Sequence, residues 1–364
     1  MAEVIVRNLI KKFGPESLAV DNISFTVAEG EFITLLGPSG CGKTTTLRCI
    51  AGLETPDAGE ILIGGQLFTS SQRGILLPPE KRRLGMVFQS YAVWPHMSVA
   101  ENVAYGLQAQ RISRGEVKEK VRKALERVGL GGLGDRNATK LSGGQQQRVS
   151  VARALAYNPR VILFDEPLSN LDAKLRERMR LELVTLVKEL KMTAIYVTHD
   201  QIEAMVMSDR IIVMKDGRIQ QEGNPHSTYN EPANSFVADF IGVTNIMEGT
   251  ALGKEGSKGL WVDIQALGTK ILCAGGVEGE FPQGVKVLVT VRPEYINLHP
   301  SGSAQANRLD GRVSEAVYLG QSRDCRIQVN STMLRVHVRG DDPIQPGQSV
   351  SMAIAPSRCV VLKD

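Results

Sequence analysis

The sequence lacks any apolar stretch long enough to cross a membrane. A transmembrane helix needs about 20 consecutive apolar residues, and even the apolar segment at residues 85–99 is interrupted by Gln89, Pro95 and His96. The first residues, Met1-Ala2-Glu3-Val4, also lack the positively charged start and the apolar core of a secretory signal. We therefore expect a protein that stays in the cytosol and that reaches a membrane only through partners.

Paired cysteines and long runs of one charge sign are missing as well. The chain has five cysteines among 364 residues, an odd number without paired spacing, which argues against a disulfide framework and against a zinc site. The net charge of +4 is spread thinly, and runs such as residues 80–83 mix both signs. We interpret these runs as solvated faces, and we find no basic stripe suited to wrapping nucleic acid.

A glycine-rich loop near the N-terminus satisfies the pattern G-x-x-x-x-G-K-[ST]. We call it the phosphate loop, and its residues are Gly37, Pro38, Ser39, Gly40, Cys41, Gly42, Lys43 and Thr44. Its glycines let backbone N–H groups, including that of the next residue, Thr45, approach phosphate oxygens. Lys43 would reach the outer oxygens, and the Thr44 hydroxyl would hold Mg²⁺. This loop predicts a nucleotide phosphate site.

Cys41 allows two interpretations. It is either a small residue that fits the loop or a thiol acidified by the N-terminus of the following helix, in which case it could act as a redox switch.

The region before residue 240 alternates strand-like and helix-like segments. Residues 4–6 and 23–27 alternate with period two, which predicts a small antiparallel sheet, and Phe32–Leu36 is an apolar run typical of a buried parallel strand. Apolar residues at helical spacing between residues 98 and 156 predict a helical insert. This order is typical of an α/β fold with a mostly parallel sheet and active groups at the carboxyl ends of its strands.

Beyond residue 240 the pattern turns to short alternating strands with frequent glycine and proline. A short amphipathic helix is predicted at residues 233–241, and strands are predicted at residues 286–291, 311–319, 326–329, 334–338 and 349–353. Such spacing is typical of a small β-barrel or β-sandwich. We therefore expect two domains, residues 1–240 and 241–364, with the helical insert at about 98–156 in the first.

The segment Leu141-Ser142-Gly143-Gly144-Gln145 is the second informative motif, and we call it the signature pentapeptide. Its serine offers a hydroxyl, its glycines permit close backbone approach, and the helix that follows favours an anion. The sequence LSGGQ is the family marker of the ATP-binding subunits of ABC transporters, which this chain resembles. The resemblance implies an ATPase whose P-loop, RecA-like α/β core carries an antiparallel β subdomain and a helical insert, followed by an all-β, OB-like regulatory domain.

Two adjacent carboxylates, Asp165 and Glu166, follow an apolar strand-like run. A strand that ends in a turn would give the same pattern, but the phosphate loop and the signature pentapeptide upstream favour a catalytic site. We predict that Asp165 completes the Mg²⁺ shell begun by Thr44, with water between. Because successive residues leaving a strand diverge, Glu166 can face the γ-phosphate as the base or the water-orienting group.

The family resemblance assigns further site residues. His199, which follows the strand-like Thr193–Thr198, is similar to the histidine that contacts the γ-phosphate and positions the attacking water. Gln89 matches the glutamine that touches Mg²⁺ or water and hinges the helical insert, and Phe13 matches the aromatic residue that stacks on adenine. The predicted catalytic set consists of Lys43, Gln89, Glu166 and His199.

The resemblance also implies a head-to-tail dimer of two copies of this chain. In that arrangement Ser142, Gly144 and Gln145 of one copy cap the γ-phosphate of the ATP held by Lys43 of the other. The segment at residues 169–172, which we call the D-loop, ends in Asp172 and runs across the interface. ATP then joins the two copies, and hydrolysis lets them open.

Within that family the sequence resembles importer ATPases of the maltose, polyamine and ferric-ion type, on residues 91–97, residues 165–172 and the C-terminal Val291-Arg292-Pro293-Glu294. This implies two membrane permease subunits as partners, an extracytoplasmic substrate-binding protein that acts indirectly, and a place on the cytoplasmic side of the inner membrane. Residues 240–246 look more like those of polyamine or ferric-ion importers than those of sugar importers, and we expect a polyamine, ferric ion, phosphonate or related solute rather than a sugar. The cargo itself is chosen by the partners.

Two other functions fit parts of the sequence. A soluble ABC-type ATPase acting on ribosomes or nucleic acid could use the β domain to bind RNA, although such proteins usually join two cassettes or carry a long coiled coil. A kinase built on the phosphate loop would leave the signature pentapeptide unexplained. We take the importer ATPase as the leading hypothesis and expect no nucleic-acid partner.

Overall fold

The computed structural model describes residues 2–14, 17–108, 112–256, 259–277, 280–298 and 307–362. The chain divides into two compact units, Met1–Pro225 and His226–Asp364. The sequence predicts a domain limit between residues 240 and 241. A division of the chain in space does not test whether each part folds independently, so this limit stays a prediction.

The first unit contains strands β1 to β11 and helices α1 to α6. The strands are β1 Val4–Lys12, β2 Leu18–Val27, β3 Phe32–Leu36, β4 Ala58–Ile63, β5 Gln66–Ser70, β6 Ile75–Leu76, β7 Leu84–Val87, β8 Val161–Asp165, β9 Thr193–Thr198, β10 Arg210–Lys215 and β11 Arg218–Gly223. The helices are α1 Lys43–Ala51, α2 Val99–Gln108, α3 Arg114–Arg127, α4 Gly143–Ala156, α5 Ala173–Glu189 and α6 Gln201–Met207.

Two sheets organise this unit. An antiparallel sheet has the order β2-β1-β4-β5-β6, which confirms the antiparallel pair predicted before the phosphate loop. The second sheet has the order β11-β10-β3-β9-β8-β7 and is parallel from β10 to β7, with β11 antiparallel at one edge. The carboxyl ends of β3, β7, β8 and β9 therefore meet at one edge of the parallel sheet, and their following loops lie together.

The centre of the parallel sheet is buried on both faces. Every residue of β3, β8 and β9 is buried, and alternate side chains point to opposite faces. One face carries the packed rings of Phe32, Phe164 and Tyr196, and the other carries aliphatic side chains such as Leu163 and Ile195. Burial of one such side chain contributes about 1.5–3 kcal/mol. The loops at the carboxyl edge are thus held on the most firmly packed part of the unit.

The predicted helical insert is confirmed as α2, α3 and α4, whose buried side chains share one core with the parallel sheet. Ser113 is the N-cap of α3, and its side chain accepts a hydrogen bond from the N–H of Glu116 at 3.2 Å. In the described parts of the chain, no helix is both long and apolar enough to span a bilayer.

The second unit is built mainly of strands. It contains α8 Ser235–Phe240, β12 Asn245–Lys254, β13 Leu260–Ile264, β14 Thr269–Cys273, β15 Lys286–Val291, β16 Ile296–Leu298, β17 Arg308–Tyr318, β18 Ser322–Val329, β19 Thr332–Arg339, β20 Ser349–Ile354 and β21 Val360–Leu362, and α7 Pro225–Asn230 precedes them. Two antiparallel sheets, β14-β13-β12-β15-β21 and β16-β20-β17-β18-β19, enclose one apolar core. This confirms the predicted all-β, OB-like region.

The sequence pattern located β15 and β17 to β20 but missed β12, β13, β14 and the short strands β16 and β21. Glycine inside β12 is one physical reason, because glycine in a sequence normally indicates a turn. A Cβ on Gly249 would lie 2.4 Å from a methyl carbon of Val262 on the neighbouring strand. Glycine is therefore required at this position by close packing between two strands.

Candidate functional site

The phosphate loop joins the buried strand β3 to the N-terminus of α1. Gly40 and Gly42 have φ values of 82° and 98°, which disfavour any other residue. A Cβ on Gly42 would also lie 2.2 Å from the carbonyl oxygen of Ala19. Gly42 is the N-cap of α1 and has no side chain with which to cap the helix. The first N–H groups of α1 are thus available to an anion at the positive end of the helix dipole.

Lys43 is only 5% exposed and folds back over the phosphate loop. Its Nζ donates hydrogen bonds to the carbonyl oxygens of Gly37 and Pro38, both at 2.8 Å, and lies 3.6 Å from Sγ of Cys41. The ammonium group is therefore held at the loop by backbone oxygens, and it has no described carboxylate partner. It is placed where it can meet the charge of a bound phosphate.

Burial raises the pKa of the Cys41 thiol and outweighs the opposite influence of Lys43. This is the reverse of the acidification on which a redox switch at Cys41 would depend. The structure favours the other interpretation, in which Cys41 is a small buried residue that fits the loop.

Asp165 ends β8 and lies beside the phosphate loop. Its side chain is almost fully buried, at 6% exposure, and Oδ1 accepts a hydrogen bond from the Thr44 hydroxyl at 3.0 Å. Burial raises the pKa of the Asp165 carboxyl, although Thr44 and Arg48, whose Nη2 lies 3.7 Å from Oδ2, act in the opposite direction. A buried carboxylate with incomplete charge compensation favours a bound cation.

This donor set fits Mg²⁺. Magnesium prefers hard oxygen ligands and is usually held by one or two carboxylates together with water and substrate phosphates. Thr44 and Asp165 supply one hydroxyl and one carboxylate at the phosphate loop, and no cluster of three metal-binding side chains occurs in the described ranges. The residues present therefore fit an Mg²⁺ ion whose remaining coordination positions would be filled by phosphate oxygens and water.

Three strands bring three polar side chains together beyond Asp165. Nδ1 of His199, after β9, lies 3.1 Å from Oε2 of Glu166, after β8. Nε2 of Gln89, which lies beyond the end of β7, donates to the same oxygen at 3.4 Å. The sequence predicted these three residues individually, and the parallel sheet places them in contact.

The backbone of Glu166 has a feature that the sequence did not predict. Its φ is 45°, a left-handed conformation that is costly for a residue with a side chain. Its N–H donates to the carbonyl oxygen of Val197 at 3.0 Å, which holds the turn onto β9. The strained turn directs the side chain away from the strand and toward His199 and Gln89.

The D-loop is tied to the same group by two side-chain hydrogen bonds. The Ser169 hydroxyl donates to the carbonyl oxygen of Glu166 at 2.9 Å, and Nδ2 of Asn170 donates to the carbonyl oxygen of Gln89 at 2.8 Å. Asp172 is exposed and is the N-cap of α5, where Oδ1 accepts from the N–H of Leu175 at 2.9 Å. The D-loop is thus hydrogen-bonded to the backbone of both Glu166 and Gln89.

The signature pentapeptide begins α4 and closes on itself. Ser142 Oγ accepts from the N–H of Gln145 at 3.4 Å, and Oε1 of Gln145 accepts from the N–H of Ser142 at 3.1 Å. This reciprocal pair is a capping box. Among the hydrogen bonds of the described residues, none joins the pentapeptide to the phosphate loop. The structure of one chain does not bring these two predicted binding elements together.

Phe13 lies beyond β1, and its ring is 51% exposed. Nζ of Lys11 lies 5.1 Å from the ring centroid. An exposed ring is free to stack on a planar ligand.

Sequence reasoning missed Arg153, which organises the surface at residues 89–97. Its guanidinium donates to the carbonyl oxygens of Tyr91, at 2.8 Å, and Ala92. It also lies 4.9 Å from the ring centroid of Trp94, which contacts Tyr105 with 4.2 Å between centroids. Tyr91 and Ala92 both have positive φ, so the arginine stabilises a strained segment. No local pattern links an arginine in α4 to this distant loop.

Comparison with known proteins agrees with this geometry. The family model of ABC transporters matches residues 20–169, and the TOBE domain model matches residues 289–362. A spermidine/putrescine import ATP-binding protein of Rubrobacter xylanophilus is 46% identical over 99% of this chain and 93% of its own length. A Fe(3+) ions import ATP-binding protein of Rhizobium meliloti is 44% identical over 96% of this chain and 95% of its own length.

Solved structures show the same similarity for the ATPase region. An ATP-binding cassette determined as a dimer in a post-hydrolysis state with ADP and Pi is 33% identical, with a TM-score of 0.53 over 61% of this chain and 98% of its own. The cbiO1 protein of Clostridium perfringens, part of an ABC transporter complex, is 31% identical, with a TM-score of 0.56 over 62% of this chain and 89% of its own.

A phosphate loop, a signature pentapeptide and a carboxylate pair at the edge of a parallel sheet define an ABC-type ATPase. The chain belongs to the ATP-binding subunits of ABC importers, and it binds and hydrolyses ATP. These relatives give no support to the alternative of an ABC-type ATPase that acts on nucleic acid or ribosomes.

Proposed function

We propose that two copies of this chain form a head-to-tail dimer, and that ATP-driven closure and hydrolysis move solute through two membrane permease subunits. The observation that carries the proposal is the separation of the two anion-suited helix N-termini. The phosphate loop is hydrogen-bonded to Asp165 at the edge of the parallel sheet, whereas the signature pentapeptide closes on itself and shares no described hydrogen bond with the phosphate loop. A second copy supplies the missing half, and a related cassette is known as a dimer.

The phosphate loop would hold the triphosphate of ATP. Backbone N–H groups of residues 40–45 and Nζ of Lys43 bind its oxygens, and the ring of Phe13 stacks on adenine. Thr44 and Asp165 would hold Mg²⁺, with Gln89 as a further ligand through its amide oxygen or water. When bound, Mg²⁺ neutralises part of the phosphate charge.

Hydrolysis would depend on the group formed by Glu166, His199 and Gln89. Glu166 accepts a proton from the attacking water or orients it for in-line attack. His199, in contact with Glu166 at 3.1 Å, donates to the γ-phosphate or positions the same water. Gln89 links Glu166 to the D-loop, because its side chain donates to Glu166 and its carbonyl oxygen accepts from Asn170.

The second copy would complete the site with the signature pentapeptide. Ser142, Gly143, Gly144 and Gln145 approach the γ-phosphate of the opposite copy, where the N-terminus of α4 stabilises negative charge. The exposed Asp172 and the rest of the D-loop lie at the same interface.

Permease partners would dock on the surface at residues 89–97. This surface begins at Gln89, and Arg153 and the exposed Tyr105 contact its residues. Docking there places the chain on the cytoplasmic side of the inner membrane, where an extracytoplasmic substrate-binding protein acts indirectly. The relatives are named for spermidine/putrescine and Fe(3+) import, which supports a polyamine or ferric ion before phosphonates and sugars.

A mixing experiment tests the composite site. Lys43→Ala removes the phosphate contact, and Gly143→Asp places a carboxylate against the opposite phosphate. A Cβ on Gly143 would meet only a methyl group of Leu171, at 3.5 Å, so this change fits within its own chain. Each variant alone should be inactive. A mixture should recover about a quarter of the wild-type ATPase rate, because random pairing makes half of the dimers mixed and gives each mixed dimer one intact site.

Two controls make that result decisive. Each variant mixed with itself must stay inactive, and both must show the wild-type melting temperature within a few degrees. A mixture that stays inactive although light scattering shows mixed dimers would contradict the head-to-tail arrangement. Cargo is tested separately, by uptake of labelled spermidine, putrescine, Fe³⁺, phosphonate and maltose into vesicles that contain the permease subunits.

A further inference from the structure

Arg176, in the first turn of α5, holds the D-loop by its backbone. Its Nη2 donates to the carbonyl oxygen of Leu171 at 3.0 Å and lies 3.4 Å from that of Ser169. Both oxygens belong to the D-loop, so a displacement of the D-loop relative to α5 would also displace the guanidinium group.

The same guanidinium reaches the segment of His199. Nη1 of Arg176 lies 3.5 Å from Oδ2 of Asp200, the residue directly after His199. Oδ1 of Asp200 is already fixed as the N-cap of α6, because it accepts from the N–H groups of Ile202 and Glu203 at 2.8 and 3.1 Å. One arginine therefore joins the D-loop to a carboxylate that cannot move without disturbing α6.

The residue on the other side of His199 is anchored independently. The Thr198 hydroxyl donates to Oε2 of Glu203 at 2.7 Å and accepts from the N–H of Asp200 at 3.0 Å. Glu203 is 2% exposed and also accepts from the Tyr196 hydroxyl at 2.8 Å. The side chain of His199 itself is 57% exposed. Its position is thus set by its two neighbours in the chain.

We infer that Arg176 is a positioning residue that transmits the position of the D-loop to His199. This inference rests on the proposed function, in which the D-loop faces the second copy and His199 acts at the γ-phosphate. In the closed dimer Arg176 holds the D-loop against the fixed carboxylate of Asp200, so that His199 keeps the position beside Glu166 that hydrolysis requires. Arg176 touches no reacting atom and acts only through its neighbours.

The solvent exposure of the Arg176–Asp200 ion pair allows a positioning role of Arg176 to be distinguished from a purely structural role. The side chains of Arg176 and Asp200 are 30% and 22% exposed, and ion pairs accessible to water contribute little to stability. Loss of the pair should therefore leave the fold nearly unchanged. A large loss of turnover would then indicate that His199 is displaced, since small displacements of catalytic groups lower the rate by large factors.

The experiment compares three variants in the full-length dimer. Arg176→Gln removes the charge, Arg176→Lys keeps it but cannot span both loops, and Asp200→Asn removes the charge while retaining an oxygen that caps α6. We expect Arg176→Gln and Asp200→Asn to lower kcat on the order of tenfold with KM for ATP within about twofold. Arg176→Lys should recover part of that loss, and all three should melt near the wild-type temperature.

Arg122→Gln is the matched control. Arg122 makes charged contacts of 2.6 to 2.9 Å with Glu119 and Glu126 on α3, away from the site. This control should keep the wild-type kcat. Adding Arg176→Gln to His199→Ala should cause no further loss of kcat, because Arg176 acts through His199.

Different results identify which statement fails. If His199→Ala leaves turnover unchanged, the proposed role of His199 is wrong and the inference falls with it. If His199→Ala lowers turnover but Arg176→Gln behaves like Arg122→Gln, the inference alone is wrong. An Arg176→Gln loss that multiplies with the His199→Ala loss, or that appears as a raised KM, also overturns it.

Discussion

The phosphate loop and the signature pentapeptide are both glycine-rich loops that begin a helix, but they are completed in opposite ways. The N-cap of α1 is Gly42, which has no side chain to offer, and the loop relies on contacts with distant elements such as β8. The N-cap of α4 is Ser142, which forms a capping box with Gln145 within three residues. The first loop therefore depends on side chains from distant elements of its own chain, whereas the second is capped locally. In the proposed dimer the second loop completes the phosphate site of the other copy.

The two loops also differ in what they cost the fold. A serine cap contributes about 1 kcal/mol to stability, so the signature pentapeptide stabilises α4. The region of the phosphate loop contains a buried lysine, a buried carboxylate and the left-handed Glu166, each of which is unfavourable without a ligand. Catalytic sites commonly trade stability for function in this way.

The largest effect should come from Glu166→Gln, which tests the site around the phosphate loop. Because a positioned group that acts in the transition state is lost, kcat should fall about a hundredfold or more while ATP binding is retained. Phosphate release and equilibrium binding of ATP measure the two quantities. Glu177→Gln, at an exposed position on α5, is the control. Wild-type turnover by the Glu166 variant would remove this residue from the mechanism.

An intermediate effect is expected from Ser142→Ala, compared with Ser113→Ala. Both serines are N-caps, of α4 and α3 respectively, so each change should lower the free energy of unfolding by about 1 kcal/mol. Only Ser142→Ala should also lower the ATPase rate, on the order of tenfold, because in the proposed dimer only Ser142 faces the second copy. Urea unfolding and ATPase assays measure both. Equal rates for the two variants would mean that the signature pentapeptide is merely a helix cap.

The smallest effect concerns the stability of Asp165→Asn without ligand. Burial raises the pKa of Asp165 in the folded protein, so the folded state binds this proton more tightly than the unfolded chain. Stability then falls as the pH rises from about 4, the ordinary carboxyl pKa, through the raised value. The asparagine variant lacks this loss, keeps an oxygen for Thr44, and should melt about 2 °C higher at neutral pH.

Calorimetry between pH 5 and 8, with and without Mg²⁺ and ATP, checks this stability prediction. Mg²⁺ and ATP together should reverse the order by stabilising the wild type more. A variant that melts at or below the wild-type temperature without ligand would contradict it.

Local patterns were sufficient for much of the fold. The apolar run of β3 indicated a buried strand, and the helical spacing after residue 98 indicated the insert. Local patterns failed where tertiary packing gives a residue a different structural role from the usual one. Gly249 lies within a strand because Val262 leaves no room for a side chain, and burial raises the pKa of Cys41. The roles of the individual site residues stay predictions.

The sequence by itself determined the chemical groups: a phosphate loop, a signature pentapeptide, a carboxylate pair and an α/β order followed by an all-β region. These can be read from sequence because each depends on residue types at short spacing. Only the tertiary structure decided that Gln89 and His199 both contact Oε2 of Glu166 and that the backbone of Glu166 is left-handed. It also decided that Arg153 holds the distant residues Tyr91 and Ala92 and that Arg176 reaches Asp200. These contacts join residues far apart in the chain, and only the packed parallel sheet brings their strand ends to one edge.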